Sequence, residues 1–115
     1  MHEMGIAAQV VEIAEASIPE EMENVKVERV NLSIGRLAAV VPESLRFCFN
    51  IMIENTRLAG AELHISEIPV QALCKDCRHK WIIDAPVFTC PLCDSGALEI
   101  LSGRELDISS IEIAD

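Results

Sequence analysis

The hydrophobic positions of this chain change period several times, and each change marks an element. Between residues 4 and 17, Ile6, Val10, Ile13 and Ser17 recur at spacings of four, three and four, with Ala7, Val11 and Ala14 widening the stripe. Glu12 and Glu15 lie off it, so the segment reads as an amphipathic helix. Pro19 stops propagation, and Glu20–Asn24 reads as a charged turn. Val30, Leu32 and Ile34 then alternate with Asn31 and Ser33, the period of a half-buried strand that ends at Gly35. Val25 and Val27 fall on the opposite parity, which requires a bulge or a strand that starts late. Pro42 suits a first helical turn. Leu45, Cys48, Phe49, Met52 and Ile53 follow at helical spacing, predicting a second helix over 42–54 closed by Asn55 and Thr56. Ala61, Leu63 and Ile65 form another alternating strand, broken by Pro69. A last strand carries Leu106, Ile108, Ile111 and Ile113, with a phase shift at Ser109-Ser110. Together these elements predict an α+β fold in which two helices pack on a three-stranded sheet.

The segment 69–103 interrupts that pattern. It holds four of the five cysteines, and between residues 70 and 98 three basic side chains balance three acidic ones. The rest of the chain therefore carries the whole net charge of −10. The expected organisation is an α+β domain from 1–68 plus 104–115, with 69–103 as an inserted module. At 115 residues the chain fits a single domain with such an appendage. Half of its residues are hydrophobic, enough for a core despite the charge. The acidic balance argues against nucleic acid, whose phosphates need clustered Lys and Arg. No run approaches the roughly 20 apolar residues of a membrane span. The N-terminus lacks the basic and apolar regions of a secretory signal, so the cytoplasm is the expected compartment. In that compartment cysteines are metal ligands or free thiols rather than a disulfide framework.

Cys74-Lys75-Asp76-Cys77 and Cys90-Pro91-Leu92-Cys93 are two C-x2-C hooks, 12 residues apart. Each hook can turn both thiolates toward one ion, and two hooks fill a tetrahedral Zn²⁺ shell with no open position. That favours a structural over a catalytic metal, one that supplies much of the folding free energy of a segment too small for its own core. Lys75, Arg78 and Lys80 would offset the negative charge of a tetrathiolate site. Trp81, Ile82, Val87 and Phe88 are the expected minimal core around the hooks. The hooks alone leave iron open beside zinc, since both take tetrahedral S₄ ligation. Cys48, at its helical spacing, reads as a buried small hydrophobe. His64 reads as a surface residue. His79, two residues past the first hook, is either solvent-facing or a partner of the metal module.

At the start of the chain, Met1-His2-Glu3 offers a different chemistry. A histidine at position 2 can combine the Met1 amine, its own deprotonated amide and its imidazole in fused chelate rings. In-plane nitrogens of this kind suit Ni²⁺ or Cu²⁺ rather than tetrahedral Zn²⁺. Glu3 could add its amide nitrogen or carboxylate. No nucleophile–base pair, phosphate loop or carboxylate dyad stands out, so the chain is not read as an enzyme. Residue chemistry alone leaves a zinc-ribbon interaction module and a rubredoxin-like iron electron carrier open.

The order of Met1-His2-Glu3, Val30–Gly35 (VNLSIG), Pro42–Phe47 (PESLRF), Gly60–Leu63 (GAEL), the paired hooks and Leu101–Leu106 (LSGREL) resembles the HypA family of hydrogenase nickel-insertion accessory proteins across essentially the whole chain. The resemblance implies a nickel metallochaperone with nickel at His2, assisted by Met1 and Glu3. It also implies structural zinc on Cys74, Cys77, Cys90 and Cys93. Its implied partners are a nickel-handling GTPase and the [NiFe] hydrogenase large subunit, with urease maturation proteins as an alternative client route. A monomer or a homodimer is compatible with it.

Overall fold

The computed structural model describes residues 2–22 and 25–114, and of His2 the backbone alone. In chain order the elements are α1 (His2–Ala16), β1 (Lys26–Gly35), α2 (Pro42–Met52), β2 (Glu62–Ile68), β3 (Val70–Cys74), β4 (Lys80–Ile83), β5 (Leu98–Ser102) and β6 (Leu106–Ala114). Short 3₁₀ turns at Glu20–Met22 and Arg36–Ala38 punctuate them. The strands form two three-stranded sheets, ordered β2-β1-β6 and β4-β3-β5. The chain divides into two compact units. One comprises the chain up to Ser33, Val40–Ser66 and everything from Asp107 on; the other comprises Ile34–Ala39 and Glu67–Leu106.

In the first unit the two expected helices pack on the expected sheet, and the buried faces show why. On α1 the covered stripe is Ala7, Val10, Val11 and Ala14, followed by Ile18. Ile13 is 54% exposed and Ser17 is also exposed, so the stripe runs one position away from the sequence expectation. Small Ala7 and Ala14 take the inner positions instead, and the Ser17 hydroxyl donates to the Ile13 carbonyl at 2.7 Å to finish the helix. On α2, Leu45, Phe49 and Ile53 are buried. Its end comes two residues earlier than expected. The Ile53 N–H still donates to the Phe49 carbonyl (3.1 Å), Asn55 turns left-handed (φ 64°), and the Thr56 hydroxyl donates to the Ile53 carbonyl (2.7 Å). Of the charged turn, Glu20–Met22 is a 3₁₀ turn, while Glu23 and Asn24 lie outside the described residues.

Both phase breaks read from the sequence have a structural counterpart. β1 begins at Lys26, and Val27 and Val30 are both fully buried with two residues between them. Strict alternation would expose one of them, so the period breaks inside the strand, which already runs from Lys26. In β6, Asn31 of β1 meets two consecutive residues. Its carbonyl accepts from the Ser109 hydroxyl at 3.1 Å, and its side-chain amide donates to Ser110 Oγ at 3.0 Å. That two-against-one arrangement returns Ile111 to the side of Ile108.

The second unit has a sheet of its own, which the sequence pattern did not predict. β3 pairs antiparallel with β4 (Val70 opposite Ile83) and with β5 (Cys74 opposite Leu98). Between Gln71 and Ala72 the register against β5 slips, because Leu101 is an extra residue. The core is Val70, Ala72 and Ile83, with Trp81, Leu98 and Ile100 half-buried against them. Of the expected core only Trp81 takes part; Ile82, Val87 and Phe88 are 44%, 60% and 46% exposed. The short β4-β3-β5 sheet packs its alternate residues inward and leaves the loop after β4 outside. Glycine is required at Gly35, where an added Cβ would lie 2.0 Å from the Gly103 backbone. Around it the Gly35 N–H donates to the Glu105 carbonyl and the Leu37 N–H to the Gly103 carbonyl, both at 2.7 Å.

Candidate metal centre

The four hook cysteines converge. Each Sγ of Cys74, Cys77, Cys90 and Cys93 lies within 4.8 Å of the others. Cys74 and Cys93 are 3.6 Å apart at sulfur, Cys77 and Cys90 3.5 Å. A tetrahedral ion with Zn–S bonds of about 2.3 Å sets its sulfurs about 3.8 Å apart, so the cage already has the size for zinc.

The two hooks are built alike. In the first, the Arg78 N–H returns to the Cys74 carbonyl (2.9 Å) and the Cys74 N–H donates to the His79 carbonyl (2.8 Å). In the second, the Asp94 N–H returns to the Cys90 carbonyl (2.9 Å) and the Cys90 N–H donates to the Ser95 carbonyl (2.8 Å). Arg78 and Asp94, each one residue past a hook, both turn left-handed, at φ 69° and 59°. Backbone amides within each hook also point at sulfur. Cys77 N–H points to Cys74 Sγ and Leu92 N–H to Cys90 Sγ, each at 3.4 Å. Such donors stabilise thiolate charge and orient the ligands. A cross-link between the hooks was not expected from the sequence: the Ser95 hydroxyl donates to the Asp76 carboxylate and accepts from the Ala97 N–H. Serine just after a hook, facing an acid inside the other, was its only sequence signal.

Electrostatics shows what the cage needs. The Cys77 backbone amide pulls the Cys74 thiol down to about 7. Cys93 is pushed up to about 12: the Ser95 amide favours its thiolate, but Cys74, burial and the other two thiols outweigh it. Cys77 is also raised, as burial and the Cys90 and Cys74 thiols overcome the His79 amide. Four adjacent thiols resist losing all their protons together, and a divalent cation supplies the missing positive charge. Cys74 and Cys90 are buried while Cys77 and Cys93 are exposed. Lys75, Arg78 and Lys80 are exposed around the first hook. The ring of His79 stacks on Trp81, with centroids 5.5 Å apart and planes 8° from parallel.

At the other candidate site, Met1 and the His2 side chain lie outside the described residues. Helix α1 nevertheless begins at His2, so the amides of His2 and Glu3 belong to a first turn, where an N–H has no intrahelical carbonyl to bind. The Glu3 carboxylate accepts the Val41 N–H at 3.2 Å, just ahead of α2. That contact, and then the residue's own amide, hold Glu3 below the usual carboxylate range. Cys48 is half-buried rather than buried, and His64 is exposed as expected.

Comparison with known proteins fixes the context of both sites. The family described as "Hydrogenase/urease nickel incorporation, metallochaperone, hypA" matches residues 1–113. The chain belongs to the HypA family. A "Hydrogenase maturation factor HypA" from Desulfosudis oleivorans is 59% identical over all of both chains. One from Desulfatibacillum aliphaticivorans is 56% identical over all of this chain and 88% of its own. The solution structure of the Ni metallochaperone HypA from Helicobacter pylori superposes with a TM-score of 0.65 at 26% identity, covering 96% of each chain. As a HypA-family member the chain is a nickel metallochaperone of hydrogenase maturation, and its four-cysteine site fits structural zinc. The electron-carrier alternative falls with that membership. Among the described residues no helix is long and apolar enough to cross a membrane.

Proposed function

We propose that this chain captures Ni²⁺ with the Met1 amine, the His2 amide and imidazole, and the Glu3 amide, and hands it on for insertion into [NiFe] hydrogenase. In this reading 1–68 plus 104–115 form the nickel-handling domain and 69–103 the zinc module. The observation that carries it is the start of α1 at His2 in a chain of the HypA family. A first helical turn offers no intrahelical carbonyl to the His2 amide that nickel must deprotonate. Fused rings of nitrogen donors at a chain end favour a planar ion, and loss of one ring weakens the whole chelate, which suits transfer.

The Val41 contact refines the role of Glu3. Its carboxylate accepts the Val41 N–H, and in this reading it braces the start of α1 while the Glu3 nitrogen serves as the ligand. Cys74, Cys77, Cys90 and Cys93 would hold zinc, which supplies a closed cross-link and no catalysis. The protein acts by binding and release rather than turnover, in the cytoplasm. Its partners are a nickel-handling GTPase and the hydrogenase large subunit, or their urease counterparts. Nickel titration of untagged wild type and His2→Ala, with both metals counted by mass spectrometry, tests the reading. One nickel and one zinc per chain are expected for wild type, and zinc alone for the variant. Equal nickel uptake by both would refute it.

A further inference from the structure

The outer side of the α1/α2 pair carries a surface that, apart from Glu3 at its start, the metal chemistry does not use. The two helices run parallel: Glu3 reaches Val41 at their starts, and Val11, Glu15 and Ala16 share a cavity with Met52 at their ends. Two open cavities follow one another along this seam. The first, about 540 Å³, is bounded by Glu3 and Met4 of α1 and by Glu43, Phe47 and Cys48 of α2. The second, about 620 Å³, is bounded by Ala8, Glu12 and Glu15 of α1 and by Met52 of α2. Phe47 is 66% exposed, and Ile51, one turn on, is 45% exposed. Apolar floors therefore sit beside carboxylates, and among the described residues no cationic side chain lines either cavity. The sequence makes this asymmetry complete. Helix α1 contains no Lys or Arg, and the one arginine of α2, Arg46, is turned to β2, where its Nε donates to the Leu63 carbonyl at 3.2 Å.

We infer that this seam is a docking groove for a basic amphipathic helix of a partner protein. Helix-in-groove recognition needs an apolar trough and flanking charge of the opposite sign. From the middle of the α2 residues bounding the first cavity to Met52 is about 10 Å at 1.5 Å per residue. Apolar anchors seven residues apart on one helix span that distance, with Lys or Arg beside them meeting Glu43, Glu12 and Glu15. A second copy of this chain is a poor occupant, because it presents the same acidic helices and a net charge of −10. Anionic lipid is repelled for the same reason.

The test uses the full, untagged, zinc-loaded chain and a synthetic 18-residue peptide with leucines seven residues apart, lysine flanks and alanine elsewhere. A peptide with glutamate in place of lysine serves as the control ligand. Amide shifts should move along 3–16 and 43–52. Glu12→Lys with Glu15→Lys, and separately Phe47→Ser, should each weaken binding by about ten-fold or more. Glu28→Lys with Asp107→Lys, the same charge change on the sheet, should alter it by less than about two-fold. Absence of binding, shifts scattered over the acidic surface, or equal weakening by the sheet variant would overturn the inference. So would self-association abolished by Phe47→Ser, or binding to phosphatidylserine vesicles. The groove does not rest on the nickel reading. Nickel uptake is measured on the same samples, so failure of either is seen separately.

Discussion

At the residue scale, the Glu3 carboxylate and the Gly35–Gly103 contact carry the sharpest consequences. Glu3 has a folded-state pKa below its unfolded value, so its bond to Val41 contributes stability above the ordinary carboxylate range and loses it as pH falls through the lowered value. Glu3→Gln should therefore melt slightly below wild type at pH 7, and the two melting curves should converge in acid; a gap that persists there would contradict the brace. If the Glu3 nitrogen rather than its carboxylate binds nickel, the same variant should retain one nickel equivalent. At Gly35, alanine would set a methyl against backbone that cannot yield, so Gly35→Ala should destabilise at the upper end of the roughly 1–3 kcal/mol typical of overpacking, read by denaturant melts. The two kinds of residue differed in legibility. The hook cysteines were plain in the sequence, because their spacing is itself the ligand geometry. Gly35 was seen only as a strand end and Glu3 only as a ligand, since the partners of both come from residues distant in the chain.

At the element scale, parity decided how much could be read. Alternation located β1, β2 and β6, and the two breaks in it have structural counterparts: the burial of both Val27 and Val30, and the Ser109-Ser110 pair opposite Asn31. β3, β4 and β5 were missed because each is only four or five residues long and their buried set is small. A core of Val70, Ala72 and Ile83 leaves the four-cysteine cage as the main cross-link of that sheet. Structural zinc contributes on the order of 10–16 kcal/mol in comparably small units. Chelation should accordingly erase the dispersed amide signals of 70–102 while those of α1 and α2 persist. Cooperative loss of both sets would show that the helical unit depends on the metal as well.

At the scale of the whole molecule, the two metals obey different rules. In the proposed reading nickel is held through groups that take up protons near neutrality, whereas zinc would sit in a closed tetrathiolate whose amide donors favour the charged form. Acidification from pH 8 should release nickel as imidazole protonates, around pH 6–7, with zinc leaving only at lower pH. Simultaneous loss, or zinc first, would contradict the separation of roles. The acidic surface belongs to this scale too. Charge read from composition argued against nucleic acid, but only the fold shows that carboxylates border the apolar troughs beside α1 and α2.

The central claim is that nickel is gripped by an unblocked chain start and not by the sulfur cage. Its most direct test is calorimetric nickel titration of the zinc-loaded protein beginning at Met1, against the same protein with one glycine placed before Met1. The native start should bind one nickel, and the extended chain should lose that site while keeping its zinc. Equal nickel binding by both would contradict the account.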